Sequence, residues 1–203
     1  MREARCACLS KFGARRIIIS LKLEGNRMTE IRAWLGGACP ILLSCLLLLT
    51  LAGCGRETYR DVVQDFADRP IGEITAGITI GQTFVPNHNY LNGVAVLMAT
   101  YARGNTCNIV FHLRREGEQQ DLFTQGLKCA DIQDNQWLRF NFPPIKDSLQ
   151  QKFFFLFESP DASRDNSVTI WMAGTPNIYS EGQMLVNGKP IPGALRFMTY
   201  HEG

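Results

Sequence analysis

The sequence predicts an all-β fold, a jelly-roll β-sandwich that follows an N-terminal signal peptide. Three observations carry this prediction. One uncharged apolar run, Ala33 to Ala52, stands apart from an otherwise ordinary composition. From Ile71 onward, short segments rich in Val, Ile, Thr and aromatic residues alternate with Gly, Asn, Pro and Asp clusters. No long helical period accompanies them, so the strands must cover one another's apolar faces.

The apolar run is preceded by Arg32 and by a more basic stretch holding Arg15, Arg16, Lys22 and Arg27, which is the charge order of an export leader. Roughly 20 uncharged residues would also cross a bilayer as a permanent helix. The boundary favours removal, because the run ends in Leu51-Ala52-Gly53-Cys54. This tetrapeptide resembles the lipobox of bacterial lipoproteins: an aliphatic residue, two small ones that let the peptidase approach the backbone, and a cysteine. The resemblance implies cleavage before Cys54, a diacylglycerol on its thiol and a palmitate-type chain on its new amino group. Two or more chains, at about 0.8 kcal/mol per buried methylene, hold a protein on a membrane where one does not. Residues 1–53 are therefore read as leader, with Met28 as the plausible true start. Gly55 lacks the aspartate that resembles an inner-membrane retention signal, so the expected location is the periplasmic face of the outer membrane.

Removing the leader changes the charge. The first 27 residues carry a net +5 and residues 28–53 none, so the chain from Cys54 onward stands at −3 rather than the +2 of the whole. No basic surface is left to argue for nucleic-acid binding. Of seven cysteines, four (Cys6, Cys8, Cys39, Cys45) go with the leader and Cys54 is lipidated. Cys107 and Cys129 remain, and an isolated pair in an oxidising compartment is expected to form a disulfide.

Residues 54–70 read as a polar tether, with one short amphipathic helix around Tyr59 to Phe66. The domain proper is expected over residues 71–203. Strands are expected at Ile74–Phe84, with a break near Gly77, then at Gly93–Tyr101, Cys107–Arg114 and Gln119–Cys129. Further strands are expected at Gln136–Phe142, Phe153–Phe157, Val168–Met172, Ile178–Val186 and Leu195–Tyr200. Alternation assigns faces: Cys107, Ile109, Phe111 and Leu113 inward, as are Leu138, Phe140 and Phe142, with Trp137, Arg139 and Asn141 outward. Phe153–Phe157 is apolar on both parities, as in a central strand covered on both sides. Asn187-Gly188 signals a two-residue hairpin.

Over Ile71 to His201 the chain resembles the galactose-binding-like jelly-roll domains that accompany bacterial surface-polysaccharide glycosyltransferases. The stretches carrying the resemblance are Gly81-Gln82-Thr83-Phe84, Leu91-Asn92-Gly93-Val94 through Tyr101, Phe142-Pro143-Pro144-Ile145 to Ser148, Glu158-Ser159-Pro160, Val168-Thr169-Ile170-Trp171, and Tyr179 to Gly188. It implies a cell-envelope setting and carbohydrate binding, without the catalytic domain of the fused proteins.

No nucleophile elbow, phosphate loop, zinc helix or dinucleotide fingerprint occurs, so the expectation is a non-enzymatic protein without a cofactor. His88, His112 and His201 read as solvated side chains. The pairs Asp131 with Asp134 and Asp161 with Asp165 fall in turns, where Asp bonds its own backbone, better than they fit a glycosidase. A second reading gives Asp161, Asp165 and Asn166 to a loop-stabilising calcium ion. A sugar site needs flat aromatic faces and planar polar groups on an outward face or rim. Trp137 with Arg139, Trp171, Tyr101 with Arg103 and Asn105, and Tyr179 have that chemistry; cross-strand packing and rim burial account better for any one of them alone, and it is jointly that they point to a site. The expected partners are an envelope polysaccharide or a protein of polysaccharide assembly. The alternatives are an assembly lipoprotein that uses the sandwich as a protein interface and, further off, a glycan hydrolase.

Overall fold

A computed structural model describes residues 57–203, so the leader and Cys54 lie outside the described residues. The strands in chain order are β1 Thr58–Gln64, β2 Arg69–Pro70, β3 Thr79–Phe84, β4 Leu91–Ala99, β5 Asn108–Arg115, β6 Phe123–Lys128 and β7 Gln136–Ile145. They continue as β8 Phe153–Glu158, β9 Thr169–Ala173, β10 Met184–Val186, β11 Lys189–Ile191, β12 Ala194–Leu195 and β13 Phe197–Glu202. One 3-10 turn, Cys129–Asp131, interrupts them. Among the described residues no helix is long and apolar enough to cross a membrane.

The strands form two antiparallel sheets. The first runs β1-β13-β4-β9-β12, with β7 on the other edge of β4 and β2 beside β9; the second runs β11-β10-β3-β8-β5-β6. Most connections cross from one sheet to the other, the exceptions being β1–β2, β5–β6, β10–β11 and β12–β13, so the fold is the all-β sandwich that the strand pattern predicts.

Phenylalanines join the layers. Phe111 of β5 stacks on Phe140 of β7 at 4.2 Å, and Phe197 of β13 meets Phe84 of β3 at 6.2 Å and Phe155 of β8 at 5.7 Å. All five are buried, and each aromatic pair adds about 0.5–1.5 kcal/mol beyond its area term. β8 is central, between β3 and β5. Its outward Leu156 is buried by neighbouring side chains, and Phe154 lies over Gly81, where a Cβ would come within 2.4 Å of its ring. The Gly81-Gln82-Thr83-Phe84 motif is thus structural throughout. Gln82 is fully buried and accepts from the Leu195 N–H at 3.1 Å, while the Gln64 amide donates to the Leu195 carbonyl at 3.1 Å.

Cys107 and Cys129 form the disulfide across the start of the β5–β6 hairpin, with Cα atoms 5.3 Å apart. The Cys129 N–H donates to the Cys107 carbonyl at 2.8 Å, extending the ladder that begins with Asn108 opposite Lys128. Asn187 and Gly188 both have positive φ, 49° and 72°, and close the β10–β11 hairpin as a type I′ turn requires.

Three expectations are corrected. The tether of residues 54–70 does not hang free, because β1 pairs with β13 and β2 with β9. Tyr59, Val62, Val63 and Phe66 have helical spacing, which suggested a helix. In the strand only Val62 and Gln64 turn inward, and Tyr59, Val63 and Phe66 stay about half exposed. The sandwich therefore begins at Thr58, not Ile71. The expected strand Ile178–Val186 is paired only at Met184–Val186, since the close approach of Gly182 to the Thr83 carbonyl belongs to an irregular crossing. Finally, His112 is not solvated: its side chain is 13% exposed, with Nδ1 2.8 Å from Asp121 and Nε2 3.5 Å from Glu158.

Candidate functional site

Register along β4 assembles the site. Leu91, Val94, Val96 and Met98 are core residues, so Gly93, Ala95, Leu97 and Ala99 line the outer face of the first sheet. Trp137 lies opposite Leu97, and Arg139 lies opposite Ala95. On the far edge of β4, Tyr200 is opposite Gly93, and Thr169 is opposite Ala99 with Trp171 two residues on. The predicted residues Trp137 and Arg139 of β7 and Trp171 of β9 thus share one outward face. Tyr200 and Arg196, which sequence reasoning did not single out, join them. Their signal was present in the alternation of Leu195–Tyr200, but a short terminal strand reads as packing.

Arg139 stretches across Gly93, where a Cβ would sit 3.0 Å from its Nε, and its guanidinium rests 3.7 Å over the Tyr200 ring. Its Nε is buried with no partner in the protein. Arg196 lies 5.3 Å over Trp137 and is held there by Asp65, which accepts from its Nε at 2.9 Å and its Nη2 at 2.6 Å. The Trp171 indole donates to Asn135 Oδ1 at 2.8 Å, which fixes its ring plane. The face offers flat aromatic surface beside planar cations, the chemistry that stacks on a sugar ring and hydrogen-bonds its substituents.

The other predicted residues lie elsewhere. Tyr101, Arg103 and Asn105 form the β4–β5 loop. Arg103 sits 4.7 Å over Tyr101 and donates to Glu73 at 2.6 Å and to Asp165 at 3.0 Å. The hydrogen bond from Arg103 holds the Glu73 carboxyl below its usual range against the opposing effect of burial. Asn105 is buried and donates to the Thr100 carbonyl at 3.1 Å. These contacts tie the loop to the 159–168 connection. Tyr179 packs edge-on against Phe197 at 5.3 Å, and its hydroxyl accepts from the Val85 N–H at 3.2 Å. Burial pushes that phenol up. It borders a separate cavity of about 280 Å³ beside Gln183 and Ile191.

Asp161 accepts from the Asn108 N–H at 2.8 Å and from its side-chain amide, and Asn166 Oδ1 accepts from the Thr106 N–H at 2.7 Å. With Asp165 facing Arg103, the oxygens of these three residues serve donors of the chain itself. Among the described residues no three His, Cys, Asp or Glu side chains gather as a metal cluster would. His88 is bonded to Asp61 at 2.8 Å and stacks on His201 at 4.2 Å. Comparison with protein-family models and with curated proteins finds no match.

Proposed function

We propose that this protein is a non-catalytic lipoprotein of the cell envelope, anchored through Cys54, that binds a glycan on the outer face of its first sheet. The convergence of Trp137, Arg139 and Trp171 on that face carries the reading. Two indoles, with the guanidinium of Arg139 over Tyr200 and that of Arg196 over Trp137, form a platform onto which a pyranose face can stack, with the guanidinium nitrogens not held by the protein left to hydrogen-bond hydroxyl or carboxylate substituents. The test is retention of envelope polysaccharide by the acylated protein, followed by tryptophan fluorescence. Trp137→Ala and Trp171→Ala are expected to fold normally and lose retention. Retention unchanged in both variants would place any glycan elsewhere and sink the reading.

One observation favours a protein interface instead. Edge strand β1 exposes Val63, with exposed Phe66 just beyond its end, and such an edge invites pairing with another chain. Capture of an assembly protein that is lost in Val63→Lys but kept in Trp137→Ala would favour this second reading.

A further inference from the structure

The start of β1, close behind Cys54, says more about how the domain meets a membrane. The Gly203 N–H donates to the Glu57 carbonyl at 3.0 Å, so the chain is held by the sandwich from Glu57 onward. Two residues, Gly55 and Arg56, separate that position from Cys54, and the three residue steps reach at most about 11 Å. The headgroup layer on each side of a bilayer is about 5–8 Å thick. A domain acylated at Cys54 therefore has no slack to stand away from the lipid.

The geometry points to the end of the sandwich that would touch it, an inference that rests on the anchor reading above. Thr58 lies opposite Glu202, His201 opposite Leu91, and Leu91 opposite Ile145, so β1, β13, β4 and β7 begin or finish together. The 85–90 and 146–152 loops are bonded to each other there, Leu149 N–H to Asn89 Oδ1 at 3.0 Å and Gln150 N–H to the Pro86 carbonyl at 2.9 Å. The Glu116 N–H donates to the Lys152 carbonyl at 2.9 Å and brings the 116–122 loop to the same end. This end exposes Tyr59 (48%), Tyr90 (41%), Leu122 (44%) and Leu149 (45%). Of the exposed large apolar side chains among the described residues, Tyr101 lies at the opposite end, in the β4–β5 loop. Tyrosine prefers the headgroup level, where its ring is desolvated and its hydroxyl stays wet. The first end rests on the lipid surface, with Tyr59, Tyr90 and Leu149 among the headgroups. The end that carries Tyr101 points away.

The test uses the processed, acylated protein in vesicles of phosphatidylethanolamine and phosphatidylglycerol, with one cysteine introduced as Leu149→Cys or Arg164→Cys. With Cys54 acylated and Cys107 bonded to Cys129, the new thiol is the sole site for a nitroxide. Intact mass is read first. The expected result is acylated Cys54 with a label at position 149 several-fold less accessible to an aqueous nickel chelate than one at position 164. Equal accessibility in a protein whose mass carries the acyl chains overturns the orientation and leaves the anchor standing. A mass without acyl chains overturns both.

Discussion

The guanidinium of Arg139 lies 3.7 Å over the ring of Tyr200, and the two reach each other across Gly93 from strands on opposite edges of β4. The glycine makes the contact, since any Cβ at position 93 would meet Nε at 3.0 Å and Nη2 at 3.2 Å. Only the flexible end of an arginine would have to move. Gly93→Ala is therefore expected to keep the fold while displacing the guanidinium from its ring. The loss should weaken glycan binding by about 1 kcal/mol, about fivefold. Calorimetric titration of wild type and variant measures it, and equal affinities would remove Arg139 from the site.

Reduction of the Cys107–Cys129 bond gives a second expectation. It closes a 22-residue separation whose chain-entropy contribution is about 3 kcal/mol. Both cysteines are 1% exposed, so reductant should act slowly until the hairpin opens. Urea unfolding of Cys107→Ala/Cys129→Ala against wild type is expected to show that loss at an almost unchanged native circular dichroism. A difference below about 1 kcal/mol would mean that the unfolded chain is already constrained there.

The strands that bury one face were legible because their alternation is strong: Cys107, Ile109, Phe111 and Leu113 all turn inward as their parity demands. β1 was not, because an edge strand that buries only Val62 and Gln64 leaves its polar and aromatic residues in any pattern. The site was half legible. Trp137, Arg139 and Trp171 announced themselves as polar-faced aromatics and cations on outward parity. That they share a face with Tyr200 and Arg196 depends on the register of β13 against β4, which involves pairings about 100 residues apart in sequence. His112 was misread because its partners, Asp121 and Glu158, come from two other strands or their connections.

Acid should loosen the loops that Glu73, Asp134 and Asp161 hold. The largest influence on Glu73 is the Arg103 hydrogen bond, on Asp134 the Thr100 N–H and on Asp161 the Asn108 N–H, and each lowers its carboxyl pKa. A carboxyl depressed in the folded state adds stability above its unfolded pKa of about 4 and loses it as pH falls through the lower folded value. Stability should hold from about pH 7 to about pH 5 and then decline as these groups protonate. Asp134→Asn is expected to melt lower than wild type at neutral pH and to show a shallower decline in acid. Thermal melting across that range checks both, and parallel curves would mean that Asp134 contributes no linkage.

The same carboxylate supports a strained turn. Tyr101 and Ala102 both occupy the left-handed region, with φ of 58° and 54°, in a turn closed by the Arg103 N–H donating to the Thr100 carbonyl at 3.1 Å. Neither is glycine, so each Cβ costs about 1–2 kcal/mol. Asp134 offsets part of that cost by accepting from the Thr100 N–H and hydroxyl, and the N–H groups of Tyr101 and Ala102 also lower its pKa. Ala102→Gly relieves one Cβ at an entropic cost of about 0.5–1 kcal/mol. The net expectation is a gain of about 0.5–1 kcal/mol in urea unfolding, the surplus of the relieved strain over that entropy. The gain should persist in the Asp134→Asn background, because the strain belongs to the backbone and not to the hydrogen bond. A loss of stability in Ala102→Gly would show that this turn is not held in the left-handed region in solution.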